Sequence, residues 1–272
     1  LVADDEGFYF PSVDSKQCIH CGACKQVCHC FNETAREDFP RNSYYGFSLD
    51  EEIRRTSASG GAFASLARIC LAAGGNVYGA AFDYETLLLR QTSTDKVGLA
   101  ALQKSKYIES YMGETIPDIQ RDIDSGRKVL FCGTPCQADG VRRAVKDPDR
   151  LLTVADFICH GVPSSALFKE HLTALCKKET LLALDFRPKE KGWSRKCLKI
   201  QTDKRTKAIP FYLDPFYFGF VGSNAILRRS CYSCPYRGRH SADITIADFG
   251  GYREYDPTVN DEKGLSLLIA NN

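Results

Sequence analysis

The stretch CIHCGACKQVCHC, residues 18–30, holds the densest group of chemically reactive side chains in the sequence. Cys18, Cys21 and Cys24 follow the spacing C-x2-C-x2-C. Cys28 follows after three further residues. Thiolates at this spacing bind successive irons of a 4Fe-4S cluster, and the fourth cysteine of such a run reaches a second cluster. The stretch therefore predicts an iron–sulfur site.

A structural zinc site is the alternative interpretation of this stretch, with His29 or Cys30 as an additional ligand. Tetrahedral zinc sites usually combine two separated C-x2-C pairs, whereas this stretch is one triple run. The triple run is typical of the cluster loop of bacterial ferredoxins. Gly22 lets the backbone approach the cluster and donate N–H hydrogen bonds to its sulfur atoms.

A second C-x2-C pair, Cys231 and Cys234, lacks two partners for a four-thiolate site. Alone, such a pair is compatible with a redox dithiol, half of a zinc site or half of a cluster site. Cys136, in the turn GTPCQ, and Cys159, in ICHG, are the candidate partners. Cys132 competes with Cys136, but it lies within a predicted strand, and we expect it in the core.

Two short stretches have the composition of a site for a phosphorylated cofactor. SASGG (57–61) precedes a predicted helix, whose first backbone N–H groups are free to bind a phosphate. QKSKY (103–107) combines lysines with an aromatic ring, which suit a phosphate and a planar ring. Tight packing at a helix start and solvated surface are the alternative interpretations of the two stretches.

Candidate groups for proton transfer or substrate binding come from two further places. His160 follows Cys159 directly and could deliver protons. The basic run RPKEKGWSRK (187–196) could bind an anionic substrate, with Lys191 and Arg195 as candidates for proton delivery or substrate anchoring. A hydrogen-bonded structural histidine and a solvated charged face are the alternatives.

The composition limits the classes of function. The chain has 272 residues, a formal net charge of +2 and 13 cysteines. Because Lys plus Arg (36) nearly balances Asp plus Glu (34), no surface for nucleic acid is expected. No apolar run approaches the roughly 18 residues of a membrane span. This many cysteines in a chain with long core-like segments favours metal or redox chemistry in the cytoplasm over a disulfide scaffold.

The elements that must position these residues alternate between strand and helix. The pattern predicts strands at NVYGAAFDYE, KVLFC (128–132), LLTVADFIC (151–159), KCLKIQT and ADITIADF. It predicts helices at SASGGAFASLARICLAAGG, QADGVRRAV and SSALFKEHLTALCKK, the last with Ser164 or Ser165 as its N-cap. Such alternation is typical of an α/β fold. Cys136 and Cys159 each follow a strand, so they are expected near each other outside the carboxyl ends of the sheet.

Taken together, the motifs resemble the coenzyme F420 hydrogenase/dehydrogenase beta-subunit family, in its bacterial form with a fused ferredoxin. The motifs that carry the resemblance, in chain order, are GFYFPSVDSKQCIHCGACKQVC, SASGGAFASL, SKYIES, KVLFCGTPCQADGVRR, ICHGVPS, FRPKEKGW, RRSCYSCPY and SADITIADF. They cover nearly the whole chain. The resemblance implies a ferredoxin-like 4Fe-4S segment at 1–40 and an α/β, mixed-sheet, flavin- and cluster-binding body at 41–272.

The resemblance also implies roles for individual residues. The ligands of a cluster in the body match Cys136, Cys159, Cys231 and Cys234. The residues on the FAD side match Ser59, Gly60, Gly61, Ser105, Lys106, Tyr107, Thr134 and Gln137. In fused members the cysteine run of residues 18–28 is the second of two ferredoxin loops. We therefore expect an upstream half that shares ligands with it, and a body cut at its C-terminal end.

The resulting hypothesis is a cytoplasmic iron–sulfur flavoprotein oxidoreductase. FAD would exchange a hydride or two electrons with a small soluble substrate, and 4Fe-4S clusters would carry single electrons to or from a ferredoxin-type or other redox partner. A homo-oligomer is compatible with this hypothesis. One alternative is a non-catalytic relay subunit that passes electrons to a partner enzyme. Another is a zinc-stabilised binding module.

Overall fold

A computed structural model describes residues 2–28, 31, 42–259 and 262–271. The strands of this part of the chain are β1 (Val2–Ala3), β2 (Tyr9–Phe10), β3 (Asn42–Gly46), β4 (Asn76–Asp83), β5 (Leu88–Ser93), β6 (Ser110–Tyr111), β7 (Val129–Gly133), β8 (Leu152–Phe157), β9 (Leu181–Asp185), β10 (Cys197–Thr202), β11 (Thr206–Pro210), β12 (Ile244–Asp248) and β13 (Ser266–Ala270).

The α-helices of the same part are α1 (Ala23–Val27), α2 (Glu51–Thr56), α3 (Ala62–Ala72), α4 (Thr94–Val97), α5 (Leu99–Leu102), α6 (Thr115–Asp124), α7 (Pro135–Ala144), α8 (Ser165–Cys176), α9 (Pro215–Tyr217) and α10 (Tyr252–Tyr255). Short 3-10 turns at Phe211–Leu213 and Arg229–Cys231 and a π-helical turn at Phe218–Gly222 complete the described helical structure. Within the described residues, no helix has the length and apolar character needed to cross a bilayer.

The centre of the fold is an eight-stranded sheet with the order β3-β13-β12-β8-β7-β4-β5-β6. Its four central strands, β12, β8, β7 and β4, run parallel to one another. β13 and β3 on one side and β5 on the other join in antiparallel pairing. The prediction of a mixed-sheet α/β body is therefore confirmed.

Helices cover both faces of this sheet because its central strands are apolar on both sides. Val77 and Leu130 share a buried cluster with Ala67 of α3 on one face. Phe131 shares a cluster with Val141 of α7 on the other face. Successive side chains of a strand point to opposite faces, so adjacent Leu130 and Phe131 reach different clusters. With both faces covered, the carboxyl ends of the parallel strands are the natural place for a ligand.

A second core lies between the large sheet and the antiparallel sheet β9-β10-β11. Helix α8 contributes Phe168 and Leu172, and β10 contributes Leu198 and Ile200. The helix begins where the sequence predicted, because the Ser164 Oγ accepts a hydrogen bond of 3.1 Å from the backbone N–H of Leu167 in its first turn. This core forms one wall of the cavity described below.

The N-terminal hairpin of β1 and β2 packs on the body. Phe8, in the segment that connects the two strands, has a buried side chain. The Arg228 guanidinium donates a 2.9 Å hydrogen bond to the Tyr9 carbonyl and lies 4.2 Å from the centre of the Phe10 ring. Helix α1 contacts helix α7. The predicted boundary near residue 40 lies outside the described residues, and the division into 1–40 and 41–272 stays a prediction.

Replacing Gly60 with alanine should destabilise the fold, because the new Cβ would lie 2.5 Å from the Gly46 carbonyl oxygen and 2.6 Å from the Ser266 nitrogen. Both neighbours are paired backbone of β3 and β13 and cannot move independently. We expect Gly60→Ala to lower the free energy of unfolding by about 1–3 kcal/mol in urea titrations. Gly46→Ala is the matched control, since its Cβ would meet no described atom within 4 Å. Equal stability of the two variants would contradict this packing.

Candidate functional site

A cavity of about 510 Å³ lies at the carboxyl ends of the parallel strands and beside the start of α3. Its volume is within the range of cofactor and ligand pockets. It is lined by most of the residues that the resemblance assigned to FAD, namely Ser59, Gly61, Ser105, Lys106, Tyr107, Thr134 and Gln137. The structure thus brings together side chains that are up to 78 positions apart in the sequence.

The start of α3 forms one end of this cavity. Gly61 precedes the helix with φ of 99°, a left-handed conformation that favours glycine. The first N–H groups of the helix lack intrahelical partners and can bind an anion. The buried Ser57 hydroxyl also has no hydrogen-bond partner among the described residues. Gly60 does not line the cavity; its carbonyl accepts a 2.8 Å hydrogen bond from the Ser48 N–H.

The Ser105–Lys106–Tyr107 stretch crosses the cavity wall. Burial lowers the pKa of Lys106 to about 7. Its ammonium donates a 2.6 Å hydrogen bond to the Gln103 carbonyl. The Tyr107 hydroxyl is hydrogen-bonded to the side chains of Arg187 and Ser105, and burial raises its pKa. The stretch therefore places a cation with a near-neutral pKa beside a buried aromatic ring.

Thr134 and Gln137 belong to a hydrogen-bond network at the start of α7. The Thr134 N–H donates to Gln137 Oε1 at 3.2 Å. Gln137 Nε2 donates to the Ser110 carbonyl at 3.1 Å and to the Ser110 hydroxyl at 2.9 Å. Gln91 Nε2 donates to Gln137 Oε1 at 3.3 Å. The network ties the turn after β7 to β5 and β6.

Cys136 and Cys159 lie at the ends of neighbouring strands. β7 and β8 pair in parallel with Gly133 opposite Asp156, and each cysteine follows its strand by three residues or fewer. Cys159 lines the cavity. Cys136 lies in the first turn of α7, and its Sγ is 3.1 Å from the Thr134 Oγ1. Thr134 also lines the cavity, so both thiols adjoin it.

The C-x2-C pair lies beside these two thiols. A Cβ added to Gly161 would be 3.3 Å from the Cys231 Cβ. Negative charge on Cys136, Cys231 or Cys234 would raise the pKa of the Cys159 thiol, so the four cysteines lie within electrostatic reach of one another. Among the described residues, no three His, Cys, Asp or Glu side chains come close enough to hold one metal ion. A cubane takes one thiolate per iron, so its four ligands stand further apart than those of a single ion.

Backbone N–H groups point at three of these sulfur atoms. Gly161 donates to Cys159, Val162 donates to Cys231, and Gln137 donates to Cys136. Burial raises the pKa of the Cys159 thiol to about 12 and also raises the pKa values of the Cys136 and Cys231 thiols. Hydrogen bonds from N–H to thiolate sulfur favour its charged form and tune cluster potentials.

The cysteine run of the N-terminal segment lies on the outside of the same region. Cys21 and Cys24 are exposed, and Cys18 and Cys28 are half-buried. Gly22 adopts a φ of 73° just before α1. Because α1 contacts α7, this run is adjacent to the helix that carries Cys136. His29 and Cys30, the extra ligands of the zinc alternative, lie outside the described residues.

The predicted catalytic residues are divided between the cavity and the surface. His160 lines the cavity, and its Nε2 is 2.6 Å from the Asn224 Oδ1. Lys191 and Arg195 are exposed and do not line the cavity. Lys196 from the same basic run does line it. A role for Lys191 or Arg195 stays a prediction that the geometry does not favour.

The sequence patterns missed one cavity residue, Gln91, and they did not single out Cys132 or Arg187 as cavity residues. Cys132 packs against the core cluster of Ala67 and Leu130, as expected, and it also lines the cavity from β7. Arg187 also lines the cavity and pairs with Asp248 of β12. Gln91 lies at a buried position of β5, where burial alternates along the strand. The sequence pattern predicted no strand at 88–93, and a glutamine at an inward-facing position of that strand is the signal that could have identified the residue.

Comparison with known proteins decides the family. A sequence model that describes the C-terminal part of the coenzyme F420 hydrogenase/dehydrogenase beta subunit matches residues 126–272. The chain belongs to this family. The predicted membership of the F420 hydrogenase/dehydrogenase beta-subunit family is therefore confirmed. The chain is thus related to oxidoreductases. No curated protein matches the chain.

A solved structure has a similar fold. A chain of the F420-reducing [NiFe] hydrogenase complex from Methanosarcina barkeri, studied by xenon derivatization, superposes with a TM-score of 0.57. The match covers 88% of this chain and 78% of the other, at 14% sequence identity. This similarity supports the fold.

The titration of Lys106 should be visible in the pH dependence of stability. Its folded-state pKa of about 7 lies below the ordinary value of 10.5, so the unfolded chain binds more protons between these values. The wild type should therefore gain stability relative to Lys106→Met between pH 7 and 9, by on the order of 2–3 kcal/mol. Urea titrations at the two pH values measure this gain. Exposed Lys207→Met is the control, and a pH-independent difference for Lys106→Met would show that the amine does not titrate there.

Proposed function

We propose that this chain is an iron–sulfur flavoprotein oxidoreductase that binds FAD in the cavity and a 4Fe-4S cluster on Cys136, Cys159, Cys231 and Cys234. One observation carries the proposal: the thiols and the cavity share a wall. Cys159 itself lines the cavity, and Thr134 lines it while touching Cys136. A flavin in the cavity and a cluster on these cysteines would thus be separated by no more than about one residue, and electrons could pass between them.

The residues of the cavity fit FAD. The free N–H groups at the start of α3, which no side chain caps, suit a pyrophosphate. When bound, FAD supplies two-electron exchange with a substrate and one-electron exchange with a cluster. The protein provides Lys106, whose amine holds or releases a proton near neutral pH. It also provides the buried rings of Tyr107, Tyr217 and Phe220, which exclude water from one wall.

We further propose that Cys18, Cys21 and Cys24 bind a ferredoxin-type 4Fe-4S cluster, and that Cys28 of the same run reaches a neighbouring cluster, as its spacing predicts. The exposed position of this run suits exchange of electrons with a ferredoxin-type or other redox partner. The contact between α1 and α7 then provides a route toward Cys136. The Methanosarcina barkeri chain comes from a hydrogenase complex, and work alongside a redox partner is proposed for this chain on that analogy.

A relay subunit remains the second candidate, because an exposed cluster loop serves a relay equally well. The cavity favours the enzyme, since Ile158 and Val221 line it and are also exposed. These apolar side chains at the opening suit entry of a small substrate. Reduction of a small molecule by the isolated chain would support the enzyme, whereas activity only with a partner protein would support the relay.

Protein purified without oxygen should contain about four to eight irons with equal acid-labile sulfide and about one FAD per chain. The reason is that each cubane holds four irons and the cavity has room for one dinucleotide. Elemental analysis with sulfide and flavin assays gives these ratios. Zinc without iron or flavin would exclude the oxidoreductase and favour the zinc-stabilised module.

Replacing one thiol of the body site should remove one cluster. Cys159→Ser should lower the iron content by about four per chain, because a cubane that lacks one thiolate is labile in an open cavity. Cys197→Ser, at a half-buried thiol of β10 away from the site, is the matched control. Unchanged iron in Cys159→Ser, with wild-type folding by circular dichroism, would refute the assignment of this ligand.

A further inference from the structure

Lys189 binds three segments of the chain at once, although it does not line the cavity. Its ammonium donates hydrogen bonds to the carbonyl oxygens of Ser59 at 2.9 Å, of Lys263 at 2.6 Å and of Arg54. An ammonium has three N–H donors, so these three oxygens use all of them. The side chain therefore joins α2, the segment before α3 and the segment before β13 at one point.

The segment before α3 leads directly into the cavity wall. Ser57 and Ser59 line the cavity before the helix, and Ala62 and Phe63 line it within the first turn. Among the described residues, no side chain caps this helix, so its first N–H groups remain available to a ligand. The N–H groups that suit a phosphate are thus a few residues from the carbonyl that Lys189 binds.

The contact with Lys189 determines the orientation of the peptide group between Ser59 and Gly60. In a trans peptide the carbonyl and the following N–H point in opposite directions. Because the Ser59 carbonyl points to the ammonium, the Gly60 N–H points away from it. The Ser59 hydroxyl also donates to the Leu265 carbonyl at 2.6 Å, which holds the same residue from its side chain. The carbonyl, which would repel an anion, is bound by a cation instead.

The positive charge of Lys189 is its second contribution to this end of the cavity. Lys104 and Arg187 line the cavity and lie within electrostatic reach of Lys189. Both pair with carboxylates, Lys104 with Asp185 at 2.5 Å and Arg187 with Asp248. The three oxygens that bind Lys189 are neutral carbonyls, so they leave its charge free to act on an anion.

Building on the proposed function, we propose that Lys189 is a positioning residue for the phosphate-binding end of the FAD site. It holds residues 57–61 in the conformation that presents the first N–H groups of α3 to the cavity, and it adds positive charge there. The residue therefore strengthens the binding of flavins that carry phosphates. It has no effect on the binding of the flavin ring alone, since it does not line the cavity.

Binding of FAD and of riboflavin, which has the same ring but no phosphate, tests this proposal. Flavin-depleted protein that retains its iron is titrated with each ligand, and quenching of flavin fluorescence reports the Kd. At pH 7, Lys189→Met should bind FAD about 10-fold more weakly than the wild type, because the helix N–H groups no longer meet the phosphates in a fixed geometry. Its Kd for riboflavin should stay within about 2-fold of the wild-type value.

Two controls separate positioning from loss of folding. Lys207→Met carries the same substitution at an exposed position of β11 and should keep both wild-type Kd values. Riboflavin is the internal control, because a variant with a collapsed cavity would lose both ligands. Circular dichroism of Lys189→Met before each titration shows whether the variant has the wild-type secondary structure.

The pH dependence is a readout that a purely structural side chain would not change. Burial lowers the pKa of Lys189 to about 8, and the charged groups that face it are Arg54, Arg187, Lys104 and Asp248, of which only Asp248 raises the pKa. At pH 9 most of the wild-type amine is neutral and has one hydrogen fewer to donate. The difference in FAD affinity between wild type and Lys189→Met should therefore shrink from about 10-fold at pH 7 to about 3-fold at pH 9.

The outcomes distinguish the two proposals. Unchanged FAD affinity in Lys189→Met, an equal loss of affinity for both flavins, or a difference that does not shrink at pH 9 would overturn the role of Lys189 and leave the FAD site intact. A wild type that binds neither flavin would overturn the FAD site and the role of Lys189 together. Selective loss of FAD affinity that narrows at pH 9 would support the proposal.

Discussion

The parallel pairing of β7 with β8 is the constraint on which the site depends. The pairing sets Gly133 beside Asp156, so both strands end at the same edge of the sheet. The chain must turn immediately after each strand, and those turns carry Cys136 and Cys159. Parallel strands occur almost only in sheets with both faces covered. Burial by α3 on one face and by α6 and α7 on the other therefore determines where the thiols meet.

A few hydrogen bonds between residues that are distant in the sequence satisfy polar groups around the cavity. The Lys189 ammonium donates to the Ser59 carbonyl at 2.9 Å and to the Lys263 carbonyl at 2.6 Å. Burial, with the nearby Arg54 and Arg187 charges, lowers the pKa of Lys189 to about 8. These contacts hold the segment before α3 against the segment before β13. The end of the cavity beside α3 is thus fixed by a lysine that does not line it.

The thiol side of the cavity is fixed in a different way. Here the neutral amides of Gln137 and Gln91 connect the α7 turn to the neighbouring strands. Neutral amides can be fully buried at a lower desolvation cost than charges. The cavity therefore has cations at Lys106 and Arg187 and uncharged, rigid groups beside the thiols. This combination of groups suits a ligand that carries both an anionic group and a neutral ring.

Local sequence patterns determined much of this molecule. The C-x2-C-x2-C run, the strand–helix alternation and the helix start at Ser164 each depend on residues a few positions apart, and such short-range rules can be read directly. The position of Cys136 and Cys159 at strand ends also followed from the pattern, because the carboxyl ends of parallel strands share one edge. The mixed character of the sheet followed from the family resemblance.

Only the tertiary structure decided which distant residues line the cavity. Cys132 packs against the cluster of Leu130 and Ala67 on the α3 side of the sheet and also reaches the cavity, because the cavity adjoins the start of α3. Lys191 and Arg195 are exposed because the basic run leaves the cavity wall between Arg187 and Lys196. The orientation of the Gln91 amide depends on hydrogen bonds to Ser110 and Gln137, which lie 19 and 46 positions away in the sequence. These outcomes depend on the path of the whole chain, and no short stretch of sequence encodes them.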